Sequence, residues 1–389
     1  MPWGFERVEI DRRLTLAGLL AATISDAAGS RVLAESKTAP TKPYAALALQ
    51  LAAHSVEKTP DPRAAMLAMI ADVGVKMRGA TGFIEQYSGS PVRLVVLPEY
   101  LFSSYPWRVS IPDFAKAAAW DVGGREYDAL GKVAQAQKLF LAGNAYETDT
   151  NFPGLYFQAS FVIGPTGDVV LRYRRLNSMY APTPHDVWSK YLDIYGIDGV
   201  FPVARTEIGN LAAIASEEIL YPEIARAHAL RGAEVFVHSS SEIGSPLDTN
   251  KDVAKRARAF ENMAWVVSAN TAGITGTGGA VASADGNSQI VDWKGTVVAE
   301  SNSGETFTAF ADIDIAALRQ ARRKPGMTNY LSRQRTELFA STYAAASHQR
   351  GNALIEDDPN GLIVKVPDRD HFNRVQAETI ARMAKDGLI

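Results

Sequence analysis

Residues 208–223, I-G-N-L-A-A-I-A-S-E-E-I-L-Y-P-E, constrain the fold more than any other stretch of the chain. Residues 211–215 are a short apolar run of the kind that makes a strand buried on both faces. Pro222 then opens a helical pattern, where its fixed φ and missing N–H suit the first turn. A strand that feeds a helix through a short turn belongs in an α/β sheet, and the turn lies beyond the carboxyl end of the strand, where open sheets place their chemistry. Ser216 stands at the mouth of that turn, with Glu217 and Glu218 directly behind it. Two readings of Ser216 follow. It is either a reactive side chain held by rigid elements or a serine that caps the helix.

Composition narrows what such a sheet can do. The 389 residues are 47% apolar and 21% charged, enough for a large core and too apolar for global disorder. A formal net charge of −3 without a long basic run argues against nucleic acid or anionic membrane partners. There is no cysteine, which excludes disulfides, thiolate metal sites and a thiol nucleophile. The six histidines (54, 185, 228, 238, 348, 371) form no metal-ligand spacing, so neither a metal nor a cofactor is expected. Arg12 and Arg13 precede the apolar residues 14–24 in the manner of a twin-arginine export signal. With Asp11 before the pair and Asp26 closing the run, the segment reads better as an Asp-capped amphipathic helix, and a cytoplasmic location is expected. No apolar stretch reaches the roughly 20 residues that span a bilayer.

The chain divides into an N-terminal helix and connector (1–43), a regular α/β region (44–325) and a C-terminal extension (326–389). A first strand is expected at 44–51. Asp61 and Pro62 cap a helix whose Met66, Met69, Ile70, Val73 and Met77 recur at helical spacing, the mark of a core stripe. Residues 92–97 read as a second buried strand, ending in Pro98-Glu99-Tyr100. A carboxylate at that end is costly to bury unless it is paired or used, so Glu99 is either a site residue or a partly exposed turn residue. A helix at 125–137 and strands at 139–146, 157–163 and 169–173 follow, the last two joined by a tight turn at 164–168. Arg174 and Arg175 then mark either a solvated strand end or a fixed cation aimed at a developing anion. Residues 177–201, rich in Tyr and Trp, read as a long irregular loop that walls a pocket. Further elements are expected at 222–231 (helix), 235–238 (strand), through 256–261 (helix) and 266–270 (strand), then hairpins over 281–303 and an edge strand near 307–313. The extension lacks strand–helix alternation and is expected to wrap the core or a neighbouring subunit. G-T-G-G at 276–279 fails the dinucleotide-binding spacing.

Taken together, several segments resemble the carbon–nitrogen hydrolase (nitrilase/amidase) superfamily. L-V-V-L-P-E-Y (94–100) resembles the segment that carries the family's catalytic Glu, which falls on Glu99. V-L-R-Y-R-R (170–175) resembles the family's Y-R-K, so the catalytic Lys position falls on Arg175. A-I-A-S-E-E-I-L-Y-P-E (213–223) resembles I-C-Y-D-x-x-F-P-E, so the nucleophilic Cys position falls on Ser216. R-G-A-E-V-F-V-H-S-S (231–240), R-A-F-E-N-M-A-W-V-V-S-A-N (258–270) and G-N-S-Q-I-V-D-W-K-G (286–295) match framework segments in the family's order. The resemblance covers roughly residues 44–325. It implies an α-β-β-α sandwich of the nitrilase type, a small amide or nitrile as substrate, and a homodimer or higher homo-oligomer.

Two catalytic positions depart from that pattern. In the family a Cys thiolate attacks carbon, Glu is the general base and Lys stabilises the anionic intermediate. A serine hydroxyl is far less acidic than a thiol, so Glu99 has harder work. Arg175 can donate hydrogen bonds to an oxyanion but cannot shuttle a proton. Three accounts remain open: a native hydrolase on Glu99, Arg175 and Ser216; a catalytically silent relative that binds a small molecule or partner; and an engineered Cys-to-Ser inactive form. Tyr100, Tyr180, Glu217 and His238 are the residues expected to bind substrate. Asp186 or Asp193 is a candidate for the second acidic role of some family members, and Glu218 is expected to be structural.

Overall fold

Alternate residues of the strands Tyr44–Ala48 (β1) and Val92–Val96 (β2) belong to two different cores. Ala46, Ala48, Leu94 and Val96 pack toward a second sheet. Ala45, Leu47 and Val95 pack with Met66, Ile70, Val73 and Met77 of the helix Pro62–Ser88 (α1). The period-2 alternation of a strand thus meets apolar partners on both faces, which is why both segments read as continuous apolar runs. The computed structural model describes residues 42–242, 249–277, 286–346, 348–358 and 361–389. The expected N-terminal helix and the start of the expected hairpins at 281–303 lie outside the described residues.

The first sheet runs on from β2 through Phe140–Thr148 (β3), Tyr156–Ile163 (β4) and Val169–Arg174 (β5). Strands β1, β2 and β3 are parallel, and β3, β4 and β5 are antiparallel. Helix Arg125–Gln137 (α2) leads into β3. The second sheet holds Ala204–Thr206 (β6), Gly209–Ala215 (β7), Val235–Ser239 (β8), Trp265–Ala269 (β9), Gln289–Val291 (β10) and Val297–Glu300 (β11), adjacent in that order. Its central strands β7, β8 and β9 are parallel. Phe310–Ile313 (β12) returns to pair antiparallel with β1. The two sheets share one core, while α1 and α2 cover the outer face of the first. Ala225 and Ala229 of helix Pro222–Leu230 and Ala254 and Ala259 of helix Asn250–Asn262 pack on the second. This is the four-layer α-β-β-α arrangement that the resemblance implies.

Residues 177–201 correct the sequence reading. They contain a short 3₁₀ turn at Pro184–Val187 and the helix Trp188–Val200 (α3), interrupted at Gly196 with φ 61°. The physical reason lies in the aromatic spacing. Trp188, Tyr191, Leu192 and Tyr195 recur at i, i+3, i+4 and i+7 and pack with Phe152 and Phe157 in a third small core. These rings fill a core rather than an irregular loop, while the pocket-wall part of the reading holds, since Asn177, Met179, Thr183, His185 and Trp188 line a cavity.

Beyond β12 the chain forms Glu337–Ala345, the hairpin Ile355–Asp358 with Gly361–Val364, and the helix His371–Lys385. Arg369 ties this tail down, donating to the carbonyls of Val109 (2.6 Å) and Tyr180 (2.8 Å) and to the Tyr156 hydroxyl (2.9 Å). Phe372 and Leu354 are buried. Among the described residues no helix is long and apolar enough to cross a membrane.

Candidate active site

At the end of β7 the backbone turns sharply. Ser216 has φ 51°, a left-handed conformation that costs a non-glycine residue on the order of 1–3 kcal/mol. A 3₁₀ turn, Ser216–Leu220, leads from it into Pro222–Leu230 (α4). Neither element is capped by the Ser216 side chain, so the capping reading falls. The carbonyl of Ser216 accepts a 2.8 Å hydrogen bond from His238 Nε2, and His238 Nδ1 lies 2.8 Å from Ser268 Oγ. Since Nε2 donates, Nδ1 accepts from the serine. Burial, reinforced by Lys255, pushes His238 down to about 3, so the ring is neutral. His238 is fully buried and both its nitrogens are engaged, so it holds the turn and has no donor or acceptor left for a substrate.

Glu99 follows β2, Gln158 lies on β4 and Arg175 follows β5, so three strands of the first sheet, with β3 between β2 and β4, deliver one polar cluster. Glu99 is completely buried. Its Oε1 accepts from Gln158 Nε2 at 2.6 Å and lies 3.5 Å from Arg175 Nη1; its Oε2 accepts from Ser241 Oγ at 2.7 Å. Gln158 completes the ring by accepting from Arg175 Nη1 at 2.7 Å. Arg175 also donates from Nε to the carbonyl of Asn177 at 2.6 Å and pairs through Nη2 with Glu217. Burial opposes the Arg175 charge, but Glu99, Glu217 and Glu218 outweigh it and hold the guanidinium above its ordinary range. Arg174 faces the other way, onto Glu147 at 2.8 Å, Asp149 at 2.6 Å and the rings of Phe157, Tyr191 and Tyr195.

The two sheets are joined at this point by the segment after β8. The N–H of Glu99 donates to the carbonyl of Ser240 at 3.2 Å, and Ser241 bridges Glu99 to the Tyr100 hydroxyl at 2.6 Å. Lys251, in the first turn of Asn250–Asn262 (α5), places Nζ 3.4 Å from Ser216 Oγ and 3.2 Å from Ser240 Oγ. Glu218 is buried beneath the turn and accepts from the Tyr173 hydroxyl (2.7 Å) and from the N–H groups of Leu176 (2.7 Å) and Asn177 (2.9 Å). It fixes the residues that follow Arg175, the structural part expected of it.

Of the expected substrate-binding residues, Tyr100 and Glu217 join this cluster through Ser241 and Arg175. Tyr180 does not, because it is 70% exposed and its described hydrogen bonds are made by its backbone, to Ser178 Oγ and from Arg369. Neither acidic candidate in the aromatic segment reaches the cluster. Asp186 is consumed as a cap, accepting from Thr183 N–H and Oγ1 at 2.8 Å each, and Asp193 is exposed. Sequence reasoning missed Gln158, Ser241 and Lys251. Gln158 had a signal, as an amide interrupting the apolar run Y-F-Q-A-S-F-V-I. Lys251 had another, since T-N-K-D is a capping-box pattern and Thr249 and Asp252 do cap α5 reciprocally. Ser241 had none.

A cavity of about 450 Å³ opens beside Glu217, lined also by Asn177 and Tyr221, and closed by Phe372 and Gln376 of the C-terminal helix. Among the described residues no group of three or more His, Asp or Glu side chains could hold a metal ion.

A buried carboxylate, a buried cation and a serine with a left-handed backbone at a strand-to-helix elbow are thus gathered on an α-β-β-α frame. The carbon-nitrogen hydrolase family profile matches residues 57–323, well over half of the chain, and the chain belongs to that family of hydrolases. It is 24% identical over 232 residues to a formamidase of Helicobacter acinonychis, covering 57% of this chain and 64% of that protein. The chain therefore spans less than two thirds of that relative's length. A formamidase of Bacillus cereus is 24% identical over 247 residues, covering 62% of this chain and 68% of the other. Among solved structures, a carbon-nitrogen hydrolase from Helicobacter pylori superposes with a TM-score of 0.59 at 20% identity, over 78% of this chain and 98% of that one. An amidase from Nesterenkonia sp. gives 0.53 at 18% identity, over 79% and 100%. These likenesses establish the nitrilase-type fold.

Proposed function

We propose that the chain hydrolyses small amides, or nitriles, through covalent attack by Ser216, with Glu99 as general base and Arg175 as the charge that stabilises the anionic intermediate. The observation that carries this reading is the Ser216 elbow. A cap or a surface serine would not need a left-handed backbone, a buried histidine on its carbonyl and a cation at its hydroxyl. Strain of this kind persists where the surroundings over-determine a reactive geometry. The formamidase names of the relatives support a small acyl group, and the modest cavity beside Glu217 supports it too.

A second reading, a relative that binds without turnover, draws on Arg175. Among the described residues, four of its five N–H groups already have acceptors, leaving one on Nη2 for an oxyanion. One experiment separates the two. Ammonia release from formamide, acetamide and propionamide is measured for the chain and for Ser216→Ala and Ser216→Cys, with intact mass to detect acyl adducts. Hydrolysis requires a slow activity that Ser216→Ala abolishes and Ser216→Cys raises, with an adduct on position 216. Turnover that survives Ser216→Ala removes the reading. A ligand-induced rise in Tm with all three forms inert favours the silent binder.

A further inference from the structure

The proposed reaction names Glu99 as base, yet among the described residues no hydrogen bond joins Glu99 to Ser216. Glu99 accepts from Gln158, Arg175 and Ser241, and among the described residues the one hydrogen bond of Ser216 Oγ is with Lys251 Nζ. We propose that Lys251 is the proton acceptor for Ser216, so that the site runs on a serine–lysine pair whose amine comes from the first turn of α5. This rests on the reading of Ser216 as nucleophile.

Three independent features support it. The first is distance: Nζ lies 3.4 Å from Oγ, within the looser range found before substrate binds. The second is rigidity. The capping box between Thr249 and Asp252 fixes the start of α5, and Asp252 is held in turn by Lys255 at 2.9 Å and Asn287 at 3.0 Å. Ser240 Oγ, 3.2 Å from Nζ, orients the amine. The third is charge. The positive end of a helix disfavours an ammonium in its first turn. Burial is the largest cause holding Lys251 below its ordinary range; Lys255 and Arg175 act in the same direction, against Glu99 and Glu242. The neighbouring His238 is neutral and Asp252 is paired with Lys255. Arg175 cannot deliver a neutral amine at any working pH, whereas Lys251 can.

The atoms balance as follows for an amide. As Ser216 Oγ bonds to the carbonyl carbon, its proton passes to Nζ and the carbonyl π pair moves onto oxygen. When that pair returns, the C–N bond breaks and the Nζ proton leaves with the nitrogen as ammonia. A water then attacks the ester, giving a proton to the neutral Nζ, which passes it to Ser216 Oγ as the ester C–O bond breaks, so that Ser216 departs as a hydroxyl and leaves the carboxylic acid. The sum is amide plus water to acid plus ammonia.

The test uses two readouts, ammonia release from formamide and labelling of Ser216 by a fluorophosphonate followed by intact mass. Lys251→Arg keeps the charge but not the base, and it is expected to lower both rates at least 10²-fold, as is Lys251→Met. The absence of any cysteine from the sequence makes a chemical rescue clean. Lys251→Cys is expected to be inactive, and alkylation with 2-bromoethylamine, which rebuilds a slightly less basic lysine analogue at this one position, restores both rates and moves the rising limb of the pH profile to lower pH. Labelling of Lys251→Arg within threefold of the unchanged chain overturns the proposal while leaving Ser216 as nucleophile. Should the variants fail to fold, the unchanged chain still decides: labelling must rise along a limb below about pH 10.4, the ordinary lysine value. A flat profile from pH 5 to 10, or no labelling, overturns the lysine assignment. Turnover that survives Ser216→Ala overturns the parent reading as well.

Discussion

His238 and Ser216, 22 positions apart, are joined by a 2.8 Å hydrogen bond from imidazole Nε2 to the serine carbonyl, and that bond holds the elbow in its left-handed conformation. The pairing follows from topology. Parallel β7 and β8 put Ile214 beside His238, so the ring sits under the residue at which the chain leaves the sheet.

Removing that bond should therefore separate positioning from binding. His238→Ala leaves the Ser216 carbonyl without its donor, at a cost of about 1–3 kcal/mol for a buried unsatisfied group. The expected result is a lower Tm and a lower kcat with KM nearly unchanged, because the ring has no free atom for substrate. A variant with unchanged kcat and a raised KM would show that His238 touches substrate instead.

Two buried histidines set an acid limit on stability. Burial pushes both His228 and His238 down to about 3. In the unfolded chain they titrate near 6.5, so that state binds protons first as pH falls. The neutral-ring stability is complete above about pH 6.5 and is lost progressively between about 6.5 and 3. Denaturant midpoints measured from pH 8 to pH 4 should fall through that window, and His228→Gln should flatten part of the slope. A midpoint independent of pH across this range would contradict the burial of both rings.

Arg175 is shared between the clamp on Glu99 and the pair with Glu217. In the Ser216→Cys background, Arg175→Ala should cost about 10² to 10³ in rate if its remaining N–H reaches the oxyanion. Glu217→Gln weakens the outer pair only, and the effect on turnover should be small. Rates that fall equally in both variants would instead make the Arg175–Glu217 pair the functional unit.

The tail presents an apolar face. Leu338, Phe339 and Tyr343 of Glu337–Ala345 are each more than half exposed, and Tyr343 Oη donates to Glu223 of α4 at 2.9 Å. Leu331, earlier in the extension, packs against the chain's own core. Homodimerisation through α4, α5 and this face would cover the other three. Light scattering at micromolar concentration should give a dimer that Leu338→Asp with Phe339→Asp dissociates; a monomer in the unchanged chain refutes the pairing.

The sequence by itself determined the strands and helices whose apolar pattern is local. Residues 92–97, 125–137 and 211–215 form elements where their periodicity places them, and Glu99 and Ser216 stand at strand ends because Pro98 and Pro222 punctuate the chain nearby. Through the absent cysteine and the Arg at 175 it also raised the expectation that two parts of the family's usual chemistry are replaced here. Only the tertiary structure decided what surrounds those ends. Gln158, Ser241 and Lys251 lie 17 or more positions from the residues they serve, and no local pattern encodes a contact closed by packing two sheets together. Trp188, Tyr191 and Tyr195 show the same limit. Their helical spacing was present in the sequence, but what they bury against, the Arg174 guanidinium and the rings of Phe152 and Phe157, exists only once β5 and α3 are brought side by side.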